Sequence, residues 1–165
     1  MCIHGSAAQR DACVVLLKEL GRSDPYAKLL HAWLRWEPGP LKDHAHAQLL
    51  VDDVLNHPWP EWPKYQRAQN ALGEAFRLKG LLLLRGEKVK HANGHALMHF
   101  KFAADKYLDG EASWLAAQCH ARNPEPGLQH KAPPHALAHE WYANRAKEQG
   151  YWPEGEATVG ARVQS

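Results

Sequence analysis

Residues 68–104, AQNALGEAFRLKGLLLLRGEKVKHANGHALMHFKFAA, and residues 112–146, ASWLAAQCHARNPEPGLQHKAPPHALAHEWYANRA, follow one plan: helix, loop, helix. Ala68, Leu72 and Gly73 correspond to Ala112, Ala116 and Ala117, and Ala96, Phe100 and Ala104 correspond to Ala138, Tyr142 and Ala146. Small residues recur where two helices must cross closely, and an aromatic residue recurs beside them. A single helical hairpin cannot bury both of its faces, whereas stacked hairpins share one core. The repetition therefore argues for antiparallel hairpins laid side by side.

The rest of the chain fits a helical domain. Apolar residues at helical spacing predict helices over about 7–20, 25–36, 43–56, 64–86, 95–108, 110–121 and 134–149. Their ends carry breakers: Gly21, then Ser23 or Asp24 as a cap before Pro25, then Pro38-Gly39-Pro40, and the run His57-Pro58-Trp59-Pro60-Glu61-Trp62-Pro63. That proline run reads as an extended crossing that lays Trp59 and Trp62 on the helices, a peptide-binding surface being the other reading. No stretch alternates as a strand does. At 165 residues the chain suits one domain. We divide it into N-terminal helices with the Pro/Trp-rich connection (1–63), the repeat region (64–155) and a tail (156–165).

The repeat resembles the Sel1-like family, a relative of the tetratricopeptide repeat. The resemblance lies in Ala68, Leu72-Gly73, Phe76 and Gly86 with ALMHFKFAA at 96–104, and in Ala112 with AHEWYANRA at 138–146 and Gly150. It covers roughly residues 65–155. Ala116-Ala117 in place of Leu-Gly, Arg145 in place of the first Ala of an Ala pair, and a longer proline-rich loop depart from the pattern. Helices two and three are readable as a degenerate earlier unit. The resemblance implies an all-α fold, a right-handed stack of antiparallel helical hairpins forming a short TPR/Sel1-like solenoid. It further implies an adaptor, regulatory or immunity-type module that binds another protein or peptide on its concave side. It carries no catalytic set. Exposed members of the second helices, His99, Lys101, Glu140 and Asn144, are the expected protein-binding residues.

Two other readings come from the residues. His91, His95 and His99 fall four apart, as do His135 and His139, and imidazoles so spaced can share Zn²⁺. These five are the candidate ligands of a metal-binding protein or metalloenzyme. The spacers Ala96-Leu97-Met98 and Ala136-Leu137-Ala138 lack the Glu of HEXXH, and ordinary surface or packing histidines account for the pattern better than a metal site does. Lys79, Arg85, Lys88 and Lys90 suggest a small nucleic-acid-binding factor, but the formal net charge of +2 makes nucleic acid a poor expectation. Cys2, Cys13 and Cys119 form no disulfide framework and suit free thiols in a reducing compartment. The longest apolar run, Leu81 to Leu84, cannot span a bilayer, so no membrane insertion is expected and the cytoplasm is the expected location. No cofactor is expected unless the histidines bind zinc. Seven Trp are many for this length, and any left exposed would mark an interface.

Overall fold

A computed structural model describes residues 5–59, 66–85, 92–122 and 134–153. These form α1 (Ala7–Leu20), α2 (Pro25–Trp36), α3 (His44–Leu55), α4 (Gln66–Arg85), α5 (Ala92–Tyr107), α6 (Gly110–Arg122) and α7 (Pro134–Glu148), and no strand occurs among the described residues. The all-α expectation holds.

Local chemistry sets the helix ends. Ser6 and Gln9 close a reciprocal capping box at the start of α1. Asp24, not Ser23, caps α2, accepting from the Tyr26 amide at 2.8 Å, and Pro25 takes the first helical position. Asp43 caps α3 and Asp109 caps α6 in the same way. At the end of α7 the Tyr151 amide donates to the Ala146 carbonyl and the Gly150 amide to Lys147, with Gly150 at φ +84°. That is a Schellman closure, which needs the left-handed backbone that glycine adopts without strain.

Six of the helices pair as three hairpins, and α1 packs on α2. In α2/α3, His31 meets His46 and Lys28 meets Asp53, so the helices run antiparallel. Gly80 against Phe100 and Gly73 against Tyr107 set the same sense for α4/α5. Ala117 against His139 and Ser113 against Gln149 do so for α6/α7. Successive hairpins then pack in sequence. The first helices also touch one another, α2 with α4 and α4 with α6. Lys79 of α4 reaches Asp52 of α3 at 2.8 Å.

The core is accordingly a row of clusters. Val14, Leu17, Ala27 and Leu34 join α1 to α2. Leu29, Val54, Ala71 and Ala75, with Val51, Leu78 and Leu82 beside them, join α2, α3 and α4. Phe100, Ala103, Ala104, Ala112, Ala116, Ala117 and Tyr142 join α5, α6 and α7. Five of the six residue pairs matched in the sequence are buried on both sides, Ala68 and Ala112, Leu72 and Ala116, Gly73 and Ala117, Phe100 and Tyr142, and Ala104 and Ala146, whereas Ala96 is buried and Ala138 only half-buried. Phe100 is wholly enclosed, and burying such a side chain is worth about 1.5–3 kcal/mol.

Trp59 does lie on the helices: its indole N–H donates to the Val54 carbonyl at 3.0 Å and its ring meets Tyr26 edge-on. Trp62, the 123–133 loop and the 156–165 tail lie outside the described residues. Three expectations change. The fifth helix begins at Ala92 and ends at Tyr107, so Leu108 falls outside the helix expected to reach it: it turns left-handed at φ 55° and is 63% exposed. Cys13 is disulfide-bonded while Cys119 is buried and outside any disulfide, so the cysteines are not three reduced thiols and do not point to a reducing compartment. Lys101 is not a bare surface residue, because its ammonium lies 5.6 Å from the Tyr142 ring centroid. Among the described residues no helix is long and apolar enough to cross a membrane.

Candidate functional site: a groove along the first helices

α2 and α4 run parallel. The Arg67 guanidinium lies 4.0 Å from the Tyr26 ring centroid, and further along both helices the Arg77 guanidinium lies 5.3 Å from that of Trp33. Such stacking is favourable because a cation meets the negative face of an aromatic ring. Between these contacts is a hollow of about 450 Å³. Its two walls have one spacing: Tyr26, Leu29, Leu30 and Trp33 from α2, and Arg67, Asn70, Ala71 and Glu74 from α4. Positions i, i+3, i+4 and i+7 share one face of a helix, so each wall is a single face. Leu29 and Ala71 form the buried floor, whereas Leu30 is 57% exposed.

The hollow continues toward α6. Asn70 and Glu74 also border a second space, of about 300 Å³, closed by Arg77, Tyr107, the start of α6 and the turn after α7. Here Arg77 reaches back to Asp109, at 3.4 Å, and to Glu111. Arg77 and Asp109 are largely enclosed, so the pair acts where water screens it less. Burial pushes the Tyr107 phenol up from its ordinary pKa, and it stays protonated at neutral pH. The two spaces together make one groove along the first helices of three hairpins, apolar at the α2 end and acidic at the α6 end.

Comparison with family models, with curated proteins and with solved structures gave no match. The groove is therefore read from its own chemistry.

The histidines do not gather there. His91 lies outside the described residues, as does the side chain of His135. His95 is exposed. His99 Nδ1 donates to the His95 carbonyl at 2.7 Å, and its ring lies 6.2 Å from that of Phe76. His139 Nδ1 donates to the Ala117 carbonyl of α6 at 2.9 Å, which ties α7 to α6. Among the described residues no three His, Cys, Asp or Glu side chains converge as metal ligands. Of the residues expected to bind a protein, His99 and Lys101 sit on α5 and Glu140 and Asn144 on α7. None of the four lines the groove. Asn144 borders another hollow with Trp141 and Arg145, which adjoins the α6 end of the groove through Leu108 and Gln149.

Sequence reasoning missed Tyr26, Leu30, Trp33, Arg67, Asn70 and Glu74 as a set. One signal was present. The apolar residues of α2 span more of its circumference than one core contact can cover: Leu29, Ala32 and Trp36 are buried, and Leu30 is left over.

A second, basic hollow lies between α1, α2 and α3, lined by Lys18, Arg22, Lys28, His31 and His46. Glu19 pairs with Arg22 and Asp53 with Lys28. His31 is 2% exposed, and its Nε2 accepts from Arg35 Nε at 3.2 Å. Burial first, then Arg35, His46 and Lys18, lower its pKa to about 4, so it is neutral at pH 7.

Proposed function

We propose that the chain is a non-catalytic interaction module that holds a segment of another protein along the α2–α4–α6 groove. The observation that carries this reading is the apolar wall of half-buried Tyr26 and Trp33 with exposed Leu30 between them, set against polar Arg67, Asn70 and Glu74 in a hollow that spans two hairpins. A groove with an apolar floor and a few placed polar groups suits a peptide better than a flat protein surface. The acidic α6 end disfavours nucleic acid, whose phosphates seek positive charge.

We also read the three hairpins as a short right-handed stack of the Sel1-like kind. The parallel sense of α2 and α4, the direct contact between successive first helices, and the matched burial of repeat-equivalent residues support it. In such a stack the first helices form the concave side, which moves the binding surface from His99, Lys101, Glu140 and Asn144 to the groove.

The test is selection from a displayed library of random nine-residue peptides on the intact protein, with a Leu30→Asp variant as the counter-screen. Leu30 is exposed, so the variant should melt as the parent does. Enriched peptides should bind the parent at least about tenfold more tightly, the cost of placing a charge against an apolar anchor. A library that yields no enrichment, or peptides indifferent to Leu30→Asp, overturns the proposal.

A further inference from the structure

The groove has an electrical direction. Arg67 stands near one end of the α4 wall with its guanidinium over Tyr26, and no carboxylate pairs with it among the described residues. Glu74 stands two turns further along, and it too has no ion-pair partner among the described residues. The nearby cation, Arg77, is engaged by Asp109 and Glu111, which leaves that end with more negative charge than positive. Asn70 lies between, where its carbonyl accepts from Gln66 Nε2 at 2.8 Å. Its amide nitrogen donates no hydrogen bond among the described residues. Leu30 and Trp33 form the apolar wall opposite.

We propose that the occupant is an extended peptide segment bearing one apolar side chain flanked by a carboxylate on one side and an ammonium or guanidinium group on the other. The inference rests on the groove being a peptide site, and it specifies the peptide. Seven residues along a helix cover about 10 Å. An extended chain advances about 3.3 Å per residue and points alternate side chains the same way. Three side chains at i, i+2 and i+4 then span about 13 Å, which the long arms of Arg67 and Glu74 accommodate. The carboxylate meets Arg67, the apolar side chain enters between Leu30 and Ala71, and the cation meets Glu74 with Glu111 behind it. Either chain direction satisfies the pattern, so it is the presence of both charges that is selected.

The experiment uses the full chain labelled with ¹⁵N and peptides sharing a central leucine. The residues two places to either side are glutamate and lysine (in both orders), two glutamates, two lysines, or two glutamines. Amide shifts of Leu30, Ala71 and Glu74 report binding. Either mixed-charge peptide should bind about fivefold more tightly than the doubly charged ones, the scale of two solvent-exposed ion pairs. Arg67→Glu should move the preference to two lysines, and Glu74→Lys to two glutamates. Should either reversal fail to fold, Arg67→Gln and Glu74→Gln should abolish the preference without reversing it. Binding that ignores charge in parent and variants overturns this inference and leaves the groove standing. No shift with any peptide overturns the groove as well. Concentration-dependent shifts without peptide, with a sedimentation dimer abolished by Leu30→Asp, would make the occupant a second copy and overturn the peptide.

Discussion

Gly80 of α4 lies directly against the ring of Phe100 of α5, so close that a methyl group on Gly80 would come within 2.5 Å of Phe100 Cε1. The ring is completely enclosed and has nowhere to retreat. Phe100 fills the middle of the α4/α5 hairpin only because the opposing helix has no side chain there.

Gly80→Ala should therefore destabilise the fold even though alanine is the better helix former. Helix propensity favours the change by about 1 kcal/mol, while overpacking a tight core costs about 1–3 kcal/mol. The expected net loss is about 1 kcal/mol. Gly94→Ala makes the same chemical change on α5 where no atom lies within 4 Å. It should gain a few tenths to about 1 kcal/mol. Urea midpoints of the two variants should fall on opposite sides of the parent. Equal shifts in one direction would mean that Phe100 does not occupy the position described.

Ala104 tests the second close approach. It is wholly buried beside Ala103 and Ala112, and its carbonyl accepts from Gln149 Nε2 at 3.1 Å. Ala104→Leu has no volume to enter and should cost about 1–3 kcal/mol. Lys101→Leu, with nearly the same helix propensity in the product, removes a cation from the Tyr142 face and should cost only about 0.5–1 kcal/mol. Chemical denaturation separates the two, and an Ala104→Leu midpoint equal to that of the parent would sink the close-crossing assignment.

How much of this was legible can be judged residue by residue. Pro25 after Asp24, and Gly150 before Tyr151, announce helix ends through chemistry that lies within a few residues, so the seven helices could be placed from the chain alone. Ala96, Phe100 and Ala104 announce a close-packed face by spacing. The groove is different. Leu29 and Leu30 are indistinguishable in sequence, yet one is 4% exposed and the other 57%. Which of them faces solvent depends on α4 lying beside α2, a pairing made across some forty residues. Arg67 and Glu74 likewise gain meaning only once Arg77 is seen to be engaged by Asp109 and Glu111. The histidine spacings were legible but not decisive, because carbonyl groups take up the Nδ1 protons of His99 and His139.

Acid should loosen the N-terminal hairpin through His31. Its folded pKa is lowered from 6.5 to about 4, while in the unfolded chain it titrates near its ordinary value. The unfolded state thus binds more protons between those values. The stabilisation from keeping His31 neutral is complete above about pH 6.5 and is lost as pH falls toward 4. The full span corresponds to at most about 3 kcal/mol. His46, lowered mainly by burial and then by Arg35 against the opposing pull of Asp43, acts in the same direction. His31→Gln keeps an acceptor for Arg35 but cannot titrate. Its stability should fall less than that of the parent between pH 7 and pH 4.5, and parallel pH profiles would show that His31 titrates normally.

The turn after α5 offers a stabilising change. Leu108 holds φ 55°, where a Cβ crowds the following carbonyl and a leucine pays about 1–2 kcal/mol. Little is gained in return, since the side chain is 63% exposed and borders hollows rather than the core. The conformation is imposed by its neighbours: the Asp109 amide donates back to the Ala103 carbonyl, and Asp109 must cap α6 and meet Arg77. Asparagine tolerates left-handed backbone better than leucine, without glycine's added freedom in the unfolded chain. Leu108→Asn should raise stability by about 0.5–1 kcal/mol, with an unchanged denaturant slope. Leu108→Ile, whose branched Cβ fits this region worse still, should lower it. Were asparagine and isoleucine to shift the urea midpoint alike, residue 108 would not hold the left-handed turn that joins α5 to α6.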